Sequence, residues 1–388
     1  MLELGQVIGD IQKMGGEARR RGDRARVQMA SALTQARMDP EAWAATRARR
    51  ESLPRPPWLA ADCKDVSPST AHPLPPHGVP ENYTALATDG SQIPLDRHAI
   101  VPCFLLNVGE IALHYGTGER PRLTSQATLH YREEELFVTE GKGDPIPLSE
   151  KIIANRRLLA ESAALAALIE AHADRHAVAL VDDPLIVWTP QGETEAEQKR
   201  IIDGFCLMLA AGQAAQTPVA GYVSRPGHRD VVGALRLTLC EPGCPHEPHH
   251  ACAALAQLTD AHLFGRLLKT PGDRSPVFGS RARGLDLYPA DQRVAFFYLN
   301  AGTEIARIEI PLWVAEDADL TARVHALCFD QVRKGQGYPI ALAEAHERAI
   351  VRGPEREAFF RLVENAFVRE NLPALQTRKA LSKRTRVV

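Results

Sequence analysis

From Ser149 to Leu239 helical periodicity alternates with short, continuous apolar runs, and this alternation limits the fold more than any other feature. A helix opens at about Ser149, keeps Leu158, Leu159, Leu165 and Leu168 at roughly helical spacing, and leads into the apolar run AVALVDD. Glu193–Ala214 then reads as helix, TPVAGYVSR as strand and Asp230–Leu239 as helix. Strands joined by helical crossovers lie parallel, so the inner part of the sheet is expected to be mostly parallel.

The flanks add strands of the other sense. LATDGSQI, AIVPCFLLNV and EIALHYG are rich in β-branched and aromatic residues and read as neighbouring antiparallel strands, broken at Asn107-Val108-Gly109. A further strand follows near Leu123–Tyr131. RVAFFYLN and IARIEIPLWV form another expected pair, Leu320–Val332 a helix, and a last helix opens at Pro339, where proline suits the first helical position. The expected class is α/β, a mixed sheet flanked by helices with an N-terminal helical segment.

Four regions are expected. Residues 1–50 form the helical segment, with Val7, Ile8, Ile11 and Met14 at helical spacing. Residues 51–82, carrying Pro54, Pro56, Pro57, Pro68, Pro73, Pro75, Pro76 and Pro80, form a linker wrapped over the surface, because proline sustains neither helix interior nor central strand. Residues 83–370 hold the main α/β domain, and 371–388 a short basic tail with Lys379, Lys383, Arg384 and Arg386.

A chain of 388 residues has ample material for a buried core. Its 46 basic and 48 acidic side chains give a net charge of −2, which excludes bulk-basic binding of polyanions and leaves only local patches. Seven irregularly spread cysteines do not make a secreted disulfide framework. With no basic-then-apolar start and no long apolar stretch, a soluble, cytoplasmic protein without membrane contact is expected.

Two of the apolar runs stop at acids, Asp89 in TDGSQI and Asp182 in AVALVDD. Asp-Gly is by itself an ordinary turn dipeptide. Two carboxylates at strand ends, where open α/β sheets place ligand groups, repel unless a cation joins them. In RRLLAES, Arg157 and Glu161 stand four apart on one helix face, the spacing of a plain surface ion pair. In GYPIALAEAHER, Tyr338 precedes the helix and His346 lies about two turns inside it.

ATDGSQIPLDRH, RRLLAES, ALVDDPL, AGYVSRP, TDAHLF, GDRSPVF, IARIEIP and GYPIALAEAHE, in this order from about Leu86 to about Phe360, resemble the NurA nuclease family. The resemblance implies a ribonuclease-H-like core and dependence on divalent metal, usually manganese. It also implies processing of DNA ends in double-strand break repair beside a hexameric HerA-type ATPase, by a nuclease homodimer. It makes Asp89 the first-strand acid, Glu161 the helix acid and Asp182 the second strand-end acid, with Tyr338 and His346 as the C-terminal tyrosine and histidine. Asp89, Glu161, Asp182 and His346 are the implied metal ligands, and all five are implied catalytic residues. Asp183 stands where the family often has glycine and competes as a ligand. The stretch from Glu161 to Asp182 is about one helical turn longer than expected, which keeps Glu150 and Glu170 as alternatives.

Elementary chemistry agrees. Hydrolysing a phosphodiester needs an activated water, neutralised phosphorane charge and a stabilised leaving oxygen, and one or two hard cations supply all three. Carboxylates suit Mn2+ or Mg2+, and an added imidazole favours manganese. Arg225, Arg274, Arg281 and Arg283 lie in Gly/Pro-rich loops and are candidate phosphate contacts. The run CEPGCPHEPHHAC places Cys240, Cys244, His246, His249, His250 and Cys252 at zinc-ligand spacing, although weaker than paired CxxC knuckles, and a metal-free loop is the expectation there. Two other functions fit the residues: a non-catalytic DNA-binding or ATPase-docking module, and an RNA-directed nuclease.

Overall fold

The computed structural model describes residues 7–39, 41–45, 58–63, 67–95, 102–138, 146–173, 175–187, 195–240, 244 and 250–370. In chain order they form α1 (Ile8–Ala36), β1 (Tyr83–Ile93), β2 (Phe104–Tyr115), β3 (Arg122–His130), α2 (Glu150–Ala171), β4 (Ala177–Val181), α3 (Glu195–Ala214) and β5 (Val219–Val223). There follow α4 (Asp230–Thr238), α5 (Asp260–Leu267), β6 (Phe278–Gly279), β7 (Val294–Asn300), β8 (Ile305–Pro311), α6 (Ala318–Lys334), α7 (Ile340–Ala349) and α8 (Gly353–Arg369). Short helical turns and a two-stranded ribbon, Phe137–Val138 with Ile146–Pro147, lie between them.

The strands make an eight-stranded sheet in the order β3-β2-β1-β4-β5-β8-β7-β6. β1 and β4 run parallel, whereas β1-β2-β3 and β5-β8-β7-β6 are antiparallel ladders, so the sheet is mixed and helices flank it. The chain divides into two compact units: Met1–Val79 with Asp183–Trp188 and Ala220–Tyr338, and Pro80–Asp182 with Thr189–Val219 and Pro339–Val388.

In the first unit the proline-rich stretch contributes to the core. Ala60, Ala61 and Cys63 are buried, Trp58 Nε1 donates to the Gly233 carbonyl at 3.1 Å, and backbone bridges join Asp62 to Gly279 and His72 to Arg274. A side chain at Gly233 would overlap the Leu59 carbonyl, so the glycine is what admits this segment. The strand β8 carries a buried charge cluster that its alternating sequence does not announce. Arg307 and Glu309, two apart and hence on one face, are both fully buried; Arg307 Nε meets Glu309 Oε1 at 2.7 Å and Nη1 meets Asp230 Oδ2 at 3.3 Å. Its guanidinium also lies over the Phe296 ring at 3.5 Å. Paired this way, the charges are tolerated in a core from which unpaired ones would be excluded.

In the second unit, α2 starts where the sequence places it, with Ser149 Oγ accepting from the Ile152 amide at 3.3 Å as its cap. Ile153, Leu165, Leu168 and Ile169 form its buried stripe. Two expectations are corrected. β2 is one unbroken strand, because Asn107, Val108 and Gly109 pair with Ser91, Gly90 and Asp89 on one side and with Ala127, Gln126 and Ser125 on the other. Pairing on both edges overrides the local turn preference of Asn and Gly. The helix opened at Pro339 is also not the last: Ile350 ends it, and Gly353-Pro354 starts α8, with Arg352 as the cap residue. The tail 371–388, with Lys379, Lys383, Arg384 and Arg386, lies outside the described residues.

Candidate active site

Asp89 lies on β1 near the C-terminal edge of the parallel pair. The β1–β4 register ends at Ala87 opposite Leu180, and continuing it by two residues sets Asp89 opposite Asp182. Asp182, just past the end of β4, is exposed. This is the sheet edge at which open α/β folds gather their reactive groups.

The Asp89 carboxylate is held at both oxygens. Oδ1 accepts from the Gly90 amide at 2.8 Å, and Oδ2 meets His346 Nδ1 at 2.8 Å. Asp89 is 20% exposed and His346 58%, so the pair is open on the imidazole side. The contact exists because α7 lies directly on β1 and β2. Gly109, opposite Asp89, permits it: a Cβ there would stand 2.5 Å from the Ala345 carbonyl and 2.9 Å from the Ala349 amide. The strands also cap the helix end. Asn107 Nδ2 donates to the carbonyls of Arg348 at 3.2 Å and Ala349 at 2.7 Å, and the Ser91 hydroxyl donates to Ala349 as well. Helix-terminal carbonyls without an intrahelical partner need such donors, and these fix the turn that bears His346.

Glu161 approaches from the other face. Successive strand residues point to opposite sides, and Asp89, Ser91, Asn107 and Gly109 all face α7. Thr88 and Gly90 face α2: the Thr88 hydroxyl donates to the Glu161 carbonyl at 3.1 Å, and a Cβ on Gly90 would overlap the Glu161 carboxylate. Because β1–β4 pairing ends at Ala87, the β1 edge beyond it carries no parallel neighbour, and the two faces meet there. Arg157 braces this corner, with Nη1 donating to the Gly90 carbonyl at 2.8 Å and Nε 3.5 Å from Glu161 Oε1. The Arg157–Glu161 spacing is thus an ion pair, and one that is seated on the residue next to Asp89. Glu150 and Glu170 are exposed and lie eleven and nine residues from Glu161, roughly 16 and 13 Å along the helix axis, at its two ends.

Among the described residues, no three of Asp89, Glu161, Asp182 and His346 have their ligand atoms all within 4.8 Å of one another. Asp89 and His346 are in contact, Glu161 sits against the adjacent glycine, and Asp182 shares the strand edge. Carboxylates with one imidazole, partly exposed at a sheet edge, fit a hard divalent cation such as Mn2+ or Mg2+, which would draw Glu161 and Asp182 toward Asp89.

The remaining predicted residues lie in the other unit. Tyr338 packs edge-on against Tyr222, with ring centroids 5.5 Å apart. The Tyr222 and Ser224 hydroxyls and the Arg225 amide all donate to the Glu304 carboxylate at 2.8 to 3.0 Å. Arg225 is exposed and holds a left-handed backbone, φ 45°, which a non-glycine residue adopts at a cost and which Glu304 fixes. Arg281 is exposed and pairs with Asp62 at 2.8 Å, and Arg283 is exposed at the start of a 3-10 turn. Arg274 turns inward: its Nη1 donates to the Ser275 carbonyl at 2.8 Å, and burial lowers its pKa to about 10. Asp183 also belongs to this unit, with its carbonyl against Gly221. Sequence reasoning missed Gly90, Ser91, Asn107 and Gly109. Their signal was the strand itself, where small and amide side chains alternate opposite the acid.

No curated relative matches the sequence. Among solved structures, the chain is similar to the NurA nuclease from Sulfolobus solfataricus, at 12% identity and a TM-score of 0.48, covering 78% of this chain and 88% of that one. It is also similar to LC9-RNase H1, a type 1 RNase H with the type 2 active-site motif, at 13% identity and a TM-score of 0.21, covering 47% and 76%. For Thermus thermophilus RuvC the figures are 16%, 0.14, 48% and 96%. No helix among the described residues is long and apolar enough to cross a membrane. The family model of the NurA domain matches residues 83–351, which takes in Asp89, Asp182, α2 and the helix that carries His346, and the chain belongs to the NurA family.

Proposed function

We propose that this chain is a divalent-metal-dependent nuclease that hydrolyses phosphodiester bonds in DNA, with manganese as the preferred ion and magnesium as the alternative. The observation that carries the reading is the Asp89–His346 contact just past the C-terminal edge of the parallel β1–β4 pairing, with Glu161 seated on the residue next to Asp89. Membership of the NurA family supports it.

Asp89, Glu161, Asp182 and His346 would hold the ion. When bound, the metal supplies a nucleophilic water near neutral pH and neutralises charge on the phosphoryl oxygens. The chain's own residues do the positioning. The Gly90 amide stops Asp89 from swinging, and Arg157 holds both the Gly90 carbonyl and Glu161. His346 joins the ion or contacts the scissile phosphate, and Tyr338 donates to a phosphate oxygen or orients water. Exposed Arg225, Arg281 and Arg283 are the candidate phosphate contacts, and the inward-turned Arg274 is the weakest of the four.

The same reading extends to partners. This sequence carries no GxxxxGK[ST] loop to bind nucleotide phosphates, so resection of long DNA ends for double-strand break repair needs a separate motor, a HerA-type hexameric ATPase, beside a nuclease homodimer. Val7, Ile8, Ile11 and Met14, at and near the start of α1, are exposed and make it a candidate docking element.

The test is cleavage of end-labelled single- and double-stranded DNA, against RNA, with Mn2+, Mg2+ or chelator. Manganese-dependent cutting of DNA is expected, and Asp89→Asn should abolish it. Binding without cutting under every metal would favour the DNA-binding module, and preference for RNA the RNA-directed nuclease.

A further inference from the structure

We propose that Cys240, Cys244 and Cys252 hold a structural zinc ion, with His250 as the fourth ligand. The three cysteines come from different local structures. Cys240 lies just past the end of α4, Cys244 in the proline-broken stretch after it, and Cys252 in the 3-10 turn Ala251–Leu255. Their sulfurs nevertheless all lie within 4.8 Å of one another, and all three side chains are buried. Among the described residues this is the one cluster of three or more candidate metal ligands that is so compact.

The Cys244–Cys252 spacing is that of a coordination sphere. Two sulfurs on a tetrahedral ion with bonds of about 2.3 Å stand roughly 3.8 Å apart. Cys244 and Cys252 are 3.8 Å apart, far beyond the length of about 2.05 Å at which a disulfide forms. Three thiolates are a soft donor set, which selects zinc over the manganese or magnesium suited to carboxylates.

Charge and architecture fit as well. Three thiolates and one Zn2+ leave a net charge of −1, which a buried site tolerates only beside a cation. Arg236 supplies it: its Nε donates to the Cys252 carbonyl at 2.7 Å while its guanidinium is clamped 3.5 Å over the Trp58 ring. The sequence between Cys240 and Cys252 contains Pro242, Pro245 and Pro248, a residue type that sustains neither helix interior nor central strand, and a metal cross-link suits such a sequence. His250, half-buried and two residues from Cys252, is the described imidazole of this stretch. Its ring lies outside the compact sulfur cluster and would turn in to complete the tetrahedron. His246 and His249 lie outside the described residues. The site belongs to the unit that does not contain Asp89.

The test is the zinc content of the full chain purified under reducing conditions, by plasma mass spectrometry. About one zinc per chain is expected in the natural protein and in Asp89→Asn, falling at least tenfold in Cys244→Ser and Cys252→Ser. Because those variants could misfold, Co2+ is also exchanged into the unaltered chain, where thiolate-to-cobalt charge-transfer bands and tetrahedral d–d bands should appear. His250→Ala should shift the d–d bands and keep the charge-transfer bands. Less than a tenth of an equivalent of zinc together with no cobalt–thiolate absorption would overturn the site, as would full zinc retention in Cys244→Ser. Loss of zinc in Asp89→Asn would assign the metal to the carboxylates instead, and unchanged d–d bands in His250→Ala would overturn the fourth ligand.

Discussion

Gly109 stands opposite Asp89 across the β1–β2 ladder, and the hydrogen it carries in place of a side chain is what allows the His346 helix to lie against that aspartate. In Gly109→Ala the new Cβ meets backbone, which yields less readily than a side chain. Displacement of α7 should lower cleavage by roughly 10²-fold, the scale of a misplacement of about 1 Å, and destabilise the fold by about 1–3 kcal/mol. The control is Gly265→Ala in α5, where the nearest atom to the added Cβ is 3.8 Å away and helix propensity favours alanine. Equal activity in the two variants would remove Gly109 from the site.

The acids should separate by position. Asp89→Asn, Glu161→Gln and Asp182→Asn are each expected to reduce cutting by roughly 10²-fold or more while melting changes little. Asp183→Asn should retain most activity, because Asp183 belongs to the other unit with its carbonyl packed on Gly221. His346→Ala should fall in the same range as the acids and Tyr338→Phe less. Steady-state rates at limiting Mn2+ decide the matter, and full activity of Asp182→Asn with an inactive Asp183→Asn would exchange their roles.

Most of the fold was legible because it rests on local patterns: helical stripes, continuous apolar strands and caps such as Ser149. What escaped depended on pairing partners far along the chain. Asn107 and Gly109 look like a turn until β1 and β3 are set on either side of them. Arg307 and Glu309 look like the wet face of a strand until Asp230 and Phe296 close over them. Gly353-Pro354 looks like the end of the helical region, although the helix it starts keeps Phe360, Val363 and Phe367 at helical spacing and half-buried. Asp182 was legible at its strand end, Asp89 at the close of an apolar run although β1 continues to Ile93, and Glu161 only through the family resemblance. That α2 and α7 bring their residues from opposite faces was not legible, since periodicity does not say which face a helix covers.

Acid stability should report a buried histidine. His325 is fully enclosed, with Nε2 2.6 Å from the Gly272 carbonyl, and burial holds its pKa at about 4 against an unfolded value near 6.5. The unfolded chain takes up a proton that the folded chain refuses, so this group's contribution is intact above about 6.5 and is lost as pH falls toward 4, on the order of 3 kcal/mol in all. His325→Gln, compared with the natural chain by denaturant melts from pH 7 to 4, should lose less. The comparison is made by difference because Asp260, whose carboxyl burial pushes up to about 7, slopes the other way. Parallel curves for the two proteins would exclude the histidine as the source.

DNA affinity should depend on local arginines, since the chain's net charge of −2 offers no general attraction. Arg225→Ala should reduce the slope of log affinity against log salt by about 1, because one phosphate then keeps its counterion when the protein binds. Arg281→Ala should do the same, and Arg274→Ala should instead lower the melting temperature, because its guanidinium is engaged inside the fold. An unchanged slope in both exposed-arginine variants would place the groove elsewhere.

The hydrogen bond between Asp89 and His346 spans 257 positions of sequence. A ribosome adding roughly 5–20 residues per second needs on the order of half a minute to cover that distance. Asp89 therefore emerges well before α7, and for that interval its carboxylate is without the imidazole that holds it in the folded chain. Synthesis order alone delays this contact until α7 has been made and lies back onto β1 and β2.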